Sequence, residues 1–202
     1  MSESTFSPRT ATIERTTAET SVSIDLGLDG SGTFEVETGV GFFDHMLHLF
    51  AKHSGFDLTV RCDGDLEVDD HHTVEDVAIG LGQALRDALG EKAHIARYGD
   101  AHVPMDDALA RAVIDLSGRS YCRLDASFER AQVGRLSTEM VEHVWRSVAD
   151  HARCKLHLTV LHGHNDHHKI EALFKAAAQA LRAAVQRSPD HAEVASTKGT
   201  LS

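Results

Sequence analysis

The run Asp69-Asp70-His71-His72-Thr73-Val74-Glu75 returns 96 positions later as Asn165-Asp166-His167-His168-Lys169-Ile170-Glu171. Imidazole and carboxylate are the side chains that hold divalent transition metals. On a helix, His71 and Glu75 stand four residues apart and share one face, as do His167 and Glu171. The second histidine of each pair is rotated by about 100° and cannot readily reach the same ion. Two ions are therefore expected, each taking a His/Glu pair from one motif and the spare histidine of the other. With the upstream histidines His45 and His143, one ion takes His71, Glu75, His143 and His168, and the other takes His167, Glu171, His45 and His72. Three imidazoles and one carboxylate leave positions open for water or substrate on a six-coordinate metal. Manganese, iron, zinc, cobalt and nickel all suit this ligand set, whereas copper(I) would want softer sulfur. Two dications and two carboxylates leave the centre positive, so it favours an anionic or readily deprotonated ligand. An azole, with nitrogens pointing in two directions, could bridge the pair.

The elements that must position these groups are duplicated too. His45 precedes His71 by 26 residues and His143 precedes His167 by 24, while His53 and His151 each follow the upstream histidine by eight. Ala84-Leu85-Arg86 answers Ala180-Leu181-Arg182, and Ile24-Asp25-Leu26 answers Ile114-Asp115-Leu116. A period near 95 residues describes two half-domains rather than a solenoid of short repeats.

Each half reads as β-β-β-α-β-α. Alternation predicts strands over 10–17 and 19–28, with Val22, Ile24, Leu26 and Leu28 on one side; the turn signal Asp29-Gly30-Ser31-Gly32 leads into a strand over 33–37. Phe42, Met46, Leu49 and Phe50 mark a helix over 41–53, followed by a strand over 56–62. Asp69 or Asp70 is the expected N-cap of a helix running to Leu89 and ended by Gly90. In the second half, strands are expected near 101–117, 120–128 and 154–161, with helices over 137–151 and 166–186. The pattern predicts an α+β fold with helices on one face of mixed sheets. We divide the chain into a flexible N-terminus (1–9), half-domains at 10–95 and 96–187, and an irregular tail (188–202).

With 202 residues the chain can bury a substantial core. Its net charge of −11 argues against binding nucleic acid or an anionic membrane. No apolar run approaches the roughly 20 residues that span a bilayer. The polar first ten residues do not read as a signal peptide. Cys62, Cys122 and Cys154 are dispersed, as expected of small buried side chains in a reducing compartment; a cytoplasmic location follows. Of the 15 histidines, His48, His94, His102, His157, His162, His164 and His191 read as surface, capping or structural residues.

Gly41-Phe42-Phe43-Asp44-His45-Met46-Leu47, Asp69 to Asp76, Asp115-Leu116-Ser117-Gly118-Arg119 and His164 to Glu171 together resemble the imidazoleglycerol-phosphate dehydratases of histidine biosynthesis, in their monofunctional form, over residues 10–202. The resemblance implies a duplicated fold like domain 2 of ribosomal protein S5, two manganese ions per site, and a 24-subunit assembly with sites at subunit interfaces. It carries metal binding onto the eight ligands above. It implies substrate contacts from Glu19, His45, His53, His71, Glu75 and His167, and a phosphate site of Arg97, Arg119, Lys175, Ser196, Thr197 and Lys198 within a substrate-binding tail. Leu49 departs from the polar residue, often glutamine, that many relatives carry there.

The implied reaction is loss of water from imidazole glycerol phosphate to give imidazole acetol phosphate, through a dimetal-bound imidazolate and a diazafulvene-like intermediate. The hydrogen removed lies on a carbon with no adjacent carbonyl, so the ring must carry the electrons. A general acid and a general base are still needed. Glu19 is the candidate for one, and His53 or a metal-bound water for the other. Two other readings of the ligand set are a dinuclear phosphoesterase, which would ordinarily want a carboxylate bridging the metals, and a non-catalytic metal-binding protein, which has no use for the anion-binding set.

Overall fold

Period-two alternation builds the first strands. β1 (Thr10–Thr16) and β2 (Thr20–Gly27) pair antiparallel, with Ile13 opposite Ile24, and β2 turns Val22, Ile24 and Leu26 inward. β3 (Phe34–Glu37), α1 (Gly41–Ser54), β4 (Asp57–Gly64) and α2 (His71–Leu89) complete the half. β4 runs antiparallel to β2 and parallel to β3, giving the mixed order β1-β2-β4-β3. The computed structural model describes residues 6–191 and 193–201.

The second half repeats that topology. β5 (Tyr98–Met105), β6 (Ala108–Asp115), β7 (Tyr121–Asp125) and β10 (Lys155–His162) form a sheet of order β5-β6-β10-β7, with the same single parallel pair at its edge. α3 (Met140–Ala152) and α4 (Asp166–Ala184) supply its helices. The region 101–117, which the β-β-β-α-β-α order requires to split, does so at Asp106, whose positive φ of 47° turns the chain between β5 and β6. A two-stranded element, β8 (Gln132–Val133) and β9 (Leu136–Ser137), sits between β7 and α3 and has no counterpart in the first half.

α2 lies on β1 and β2, and α4 lies on β5 and β6. The second of these contacts is very close. A Cβ on Gly99 of β5 would come 2.0 Å from the Ala180 carbonyl oxygen, so only glycine lets strand and helix meet there. The remaining helices pack across the halves, α1 on α4 and α3 on α2. Trp145 of α3 is 1% exposed and lies 4.7 Å from Phe174 of α4 and 6.4 Å from Phe50 of α1, ring centre to ring centre. The core thus belongs to both halves, which cannot separate without exposing it.

At the N-terminal edge, residues 1–5 of the segment expected to be flexible lie outside the described residues. Arg9, by contrast, is held: it is 6% exposed, pairs with Asp29 at 2.6 Å and donates to the Val185 carbonyl at 2.7 Å. Among the described residues, the tail beyond α4 runs along the loop before β5. There the His94 N–H donates to the Glu193 carbonyl at 2.9 Å and the Ser188 N–H to the His94 carbonyl at 3.0 Å. Burial raises the Cys62 and Cys122 thiols to about 11 and that of Cys154 to about 12, which suits inert packing residues.

Candidate metal centre

The helix pairing across the halves assembles two ligand trios. In the α1–α4 pair, His45 comes from the second turn of α1, while His167 and Glu171 come from the first turns of α4. The imidazole Nε2 atoms of His45 and His167 stand 3.6 and 3.2 Å from one oxygen of Glu171. In the α2–α3 pair, His71, Glu75 and His143 repeat the arrangement, with Nε2 to carboxylate distances of 3.9 Å from His71 and 2.8 Å from His143. Within each trio the three donor atoms lie within 4.8 Å of one another. Two imidazole nitrogens and a carboxylate oxygen converging on one point fit a divalent transition ion. The exchange of upstream histidines between halves, expected from the duplication, is therefore what the helix packing produces.

Local sequence sets the helix starts that carry these ligands. Asp69 Oδ1 accepts the His71 N–H at 2.8 Å, and Asn165 Oδ1 accepts the His167 N–H at 2.9 Å, so equivalent residues cap both helices through the first histidine. The Phe42 ring lies 4.9 Å from that of His167 and 6.5 Å from that of His45, giving the first trio an apolar wall.

The trios differ in burial. Glu171 is 7% exposed at its side chain and Glu75 is 35%. Burial works to raise the Glu171 carboxyl, but Lys175, with its ammonium 2.5 Å from Oε1, more than offsets it and holds the group below the ordinary carboxylate range. Glu171 is thus an ionised ligand at neutral pH. Lys175, expected beside a phosphate, is engaged in this pair and with Met105 Sδ at 3.5 Å. Burial first, and then the nearby Lys175 charge, lowers the His53 pKa, leaving that imidazole neutral at pH 7.

His72 and His168 do not join the trios of their own chain. The helical rotation that separates each from its neighbouring histidine carries it to a carboxylate instead. His72 Nδ1 lies 3.0 Å from Asp65, with its Nε2 3.7 Å from Glu19. His168 Nδ1 lies 2.6 Å from Asp107, with its Nε2 3.4 Å from Asp106. The hydrogen bond to Asp65 raises the His72 pKa. The bond from His168, with the His164 and Asn165 N–H groups, pulls the Asp107 carboxyl well down. A carboxylate on Nδ1 fixes the tautomer and orients Nε2 as a donor, the arrangement common to metal-bound histidine. Asp65, Asp106 and Asp107 escaped the sequence reading because they come from turns at no set spacing from the histidines.

Arg97, Arg119, Ser196, Thr197 and Lys198 line one cavity of about 730 Å³ beside Ser117. Arg97 is fixed in it by Asp115 at 2.8 Å and by the Ala195 carbonyl at 2.6 Å, which ties the tail to the cavity wall. Arg119 has no ion pair among the described residues. None of the trio residues lines this cavity, so within one chain the cationic and the metal-ligating groups stand apart. His53 lines a different cavity, with Arg9, Lys52 and Arg182.

Fold and site together define a duplicated, pseudo-symmetric α+β protein with paired imidazole–carboxylate centres at its internal helix contacts. The family model for imidazoleglycerol-phosphate dehydratase matches residues 38–181, and the chain belongs to that family, whose members are hydro-lyases. It is 82% identical over 201 residues to the imidazoleglycerol-phosphate dehydratase of Salinibacter ruber, covering 100% of both chains. It is 58% identical to that of Chlorobium chlorochromatii, with 96% of this chain and 97% of the relative aligned. The crystal structure of the Staphylococcus aureus N315 dehydratase superposes with a TM-score of 0.81 at 40% identity, covering 89% of this chain and 99% of that one. The Pyrococcus furiosus enzyme in complex with (S)-C348 gives 0.81 at 36%, covering 94% and 100%.

Proposed function

We propose that this enzyme removes water from D-erythro-imidazole glycerol phosphate to form imidazole acetol phosphate in histidine biosynthesis. We further propose that it does so as a cytoplasmic self-assembly of 24 copies. The observation that carries the reading is the pair of equivalent trios, each accompanied by a histidine whose Nδ1 is held by a carboxylate and whose Nε2 faces away from the trio of its own chain. His45, His167 and Glu171 would hold one ion, and His71, Glu75 and His143 the other. His72 and His168 would complete the trios of neighbouring copies, which accounts for their facing away from their own. Bound divalent ions, manganese by resemblance, supply the positive charge that stabilises a deprotonated imidazole ring.

The chain's own groups do the rest. The cavity of Arg97, Arg119, Ser196, Thr197 and Lys198 suits a phosphate, with guanidinium forks and the Lys198 charge to anchor it. Its separation from the trios also favours a site shared between copies. Lys175 keeps Glu171 ionised beside that site. Glu19, 3.7 Å from His72 Nε2, is the candidate for one of the two proton transfers, and His53 or a metal-bound water for the other.

The test is to add imidazole glycerol phosphate to chelated and to manganese-reconstituted protein. Ultraviolet absorbance of the enol or ketone product should appear only after reconstitution. Release of inorganic phosphate instead would establish a phosphoesterase, and metal uptake with no turnover would leave a binding protein.

A further inference from the structure

The duplication is broken at one place. In the first half, β3 connects to α1 through three residues, 38–40; in the second, β7 connects to α3 through fourteen, 126–139, and these contain the β8–β9 hairpin. The inserted segment is gripped from both sides by the aspartates that precede the two histidine pairs. Asp70 is 8% exposed and makes no cap bond to its own helix; it accepts the Ser137 N–H at 2.6 Å and the Ser137 hydroxyl at 2.9 Å. Asp166, 2% exposed, accepts the Glu129 and Arg130 N–H groups at 2.9 and 2.8 Å. Lys169 pairs with Asp166 at 2.9 Å and donates to the Ser127 carbonyl at 3.1 Å. Thr138 closes the hairpin base onto the Arg130 and Ala131 carbonyls. At its tip, Gly134 has a φ of 61° and presses against Phe42, where an added Cβ would sit 3.2 Å from the Phe42 Cβ. Phe42 is the wall of the His45–His167 trio.

A single strap therefore runs from Asp166, beside the His167 trio, across Phe42 to Asp70, beside the His71 trio, and then leads into α3 with His143. We propose that segment 127–138 is a brace that sets the two ligand trios in register, with Asp70 and Asp166 as its positioning residues. The inference rests on the reading of the trios as metal sites. Its particular consequence is that Asp70, which adjoins one trio, supports ion binding at the other.

The experiment reads that remote effect. In a Glu75→Gln background, which disables the near trio, calorimetric titration of metal-free protein with manganese reports on His45, His167 and Glu171. Adding Asp70→Ala should weaken binding there by about tenfold, the scale of losses when groups that orient ligands are removed. Asp70→Asn, which keeps an oxygen for the Ser137 N–H, should restore most of it. Gly134→Ala, strained at positive φ and crowding Phe42, should give a comparable loss with Asp70 in place; it decides the matter alone if Asp70→Ala does not fold. Affinity unchanged within about twofold (well under 1 kcal/mol) in the folded variants would overturn the brace. Failure of the unsubstituted protein to take up manganese at all would instead overturn the metal reading, and the inference with it.

Discussion

Glu171→Gln in the metal-free protein isolates the electrostatics of the more buried trio. The substitution leaves the Lys175 ammonium without its carboxylate, in a place where the two side chains are only 15% and 7% exposed and 2.5 Å apart. Removing one partner of a buried ion pair costs about 3–5 kcal/mol, because the remaining charge stays desolvated. Lys175 keeps some exposure and has Met105 Sδ as a weak neighbour, which places the cost at the lower end, about 3 kcal/mol. For a chain of this length that corresponds to a fall in melting temperature of about 6–12 °C. The assay is calorimetric melting of chelator-treated protein at pH 7, beside Lys175→Met and the double variant. The double variant should recover much of the loss, since it leaves no orphaned charge. A fall worth less than about 1 kcal/mol, as for an exposed pair, would refute the reasoning.

Acidification should destabilise the metal-free protein in a defined window. Burial works to raise the Asp29, Asp166 and Glu171 carboxyls, but their bonds to Arg9, Lys169 and Lys175 prevail, and all three fall below their ordinary values of 3.8, 3.8 and 4.5. Groups depressed in this way stabilise the fold fully above their unfolded values and lose that contribution as pH falls through the lower folded ones. Melting temperatures taken downward from about pH 5 should therefore drop, and a flat profile would contradict the three pairs. Arg119→Met should raise KM for the phosphate substrate with much less effect on kcat, as expected when a ground-state anchor is lost; a fall in kcat alone would remove Arg119 from the phosphate site. Glu19→Gln should lower kcat by about 10²–10⁴-fold if its carboxylate moves a proton, and full turnover in steady-state assays would exclude that role.

What could be read from the sequence was what periodicity encodes. His71 with Glu75, and His167 with Glu171, follow from helical spacing, and the exchange of His45 and His143 follows from the duplication. The groups that escaped notice lie where no period operates. The β8–β9 strands are two residues each, too short to alternate, and only Gly134 hints at their turn. The break between β5 and β6 falls at Asp106-Asp107, an ordinary acidic pair, and no pattern announces the positive φ of Asp106. Asp65 and Asp107 reach His72 and His168 through tertiary contact alone. The family resemblance puts Lys175 at the phosphate, and its i,i+4 relation to Glu171, legible in the sequence, is the ion pair the helix makes. Asp70 is the converse: its position invited assignment as a helix cap, but Asp69 makes that bond and frees Asp70 to hold Ser137.

The pairing of the trios with two ions is tested most directly by anomalous scattering from crystals grown with manganese. Two anomalous peaks per chain are expected, one bounded by His45, His167 and Glu171 and the other by His71, Glu75 and His143. Crystals with manganese in the mother liquor but no peak at either trio, and these imidazoles turned apart, would contradict it.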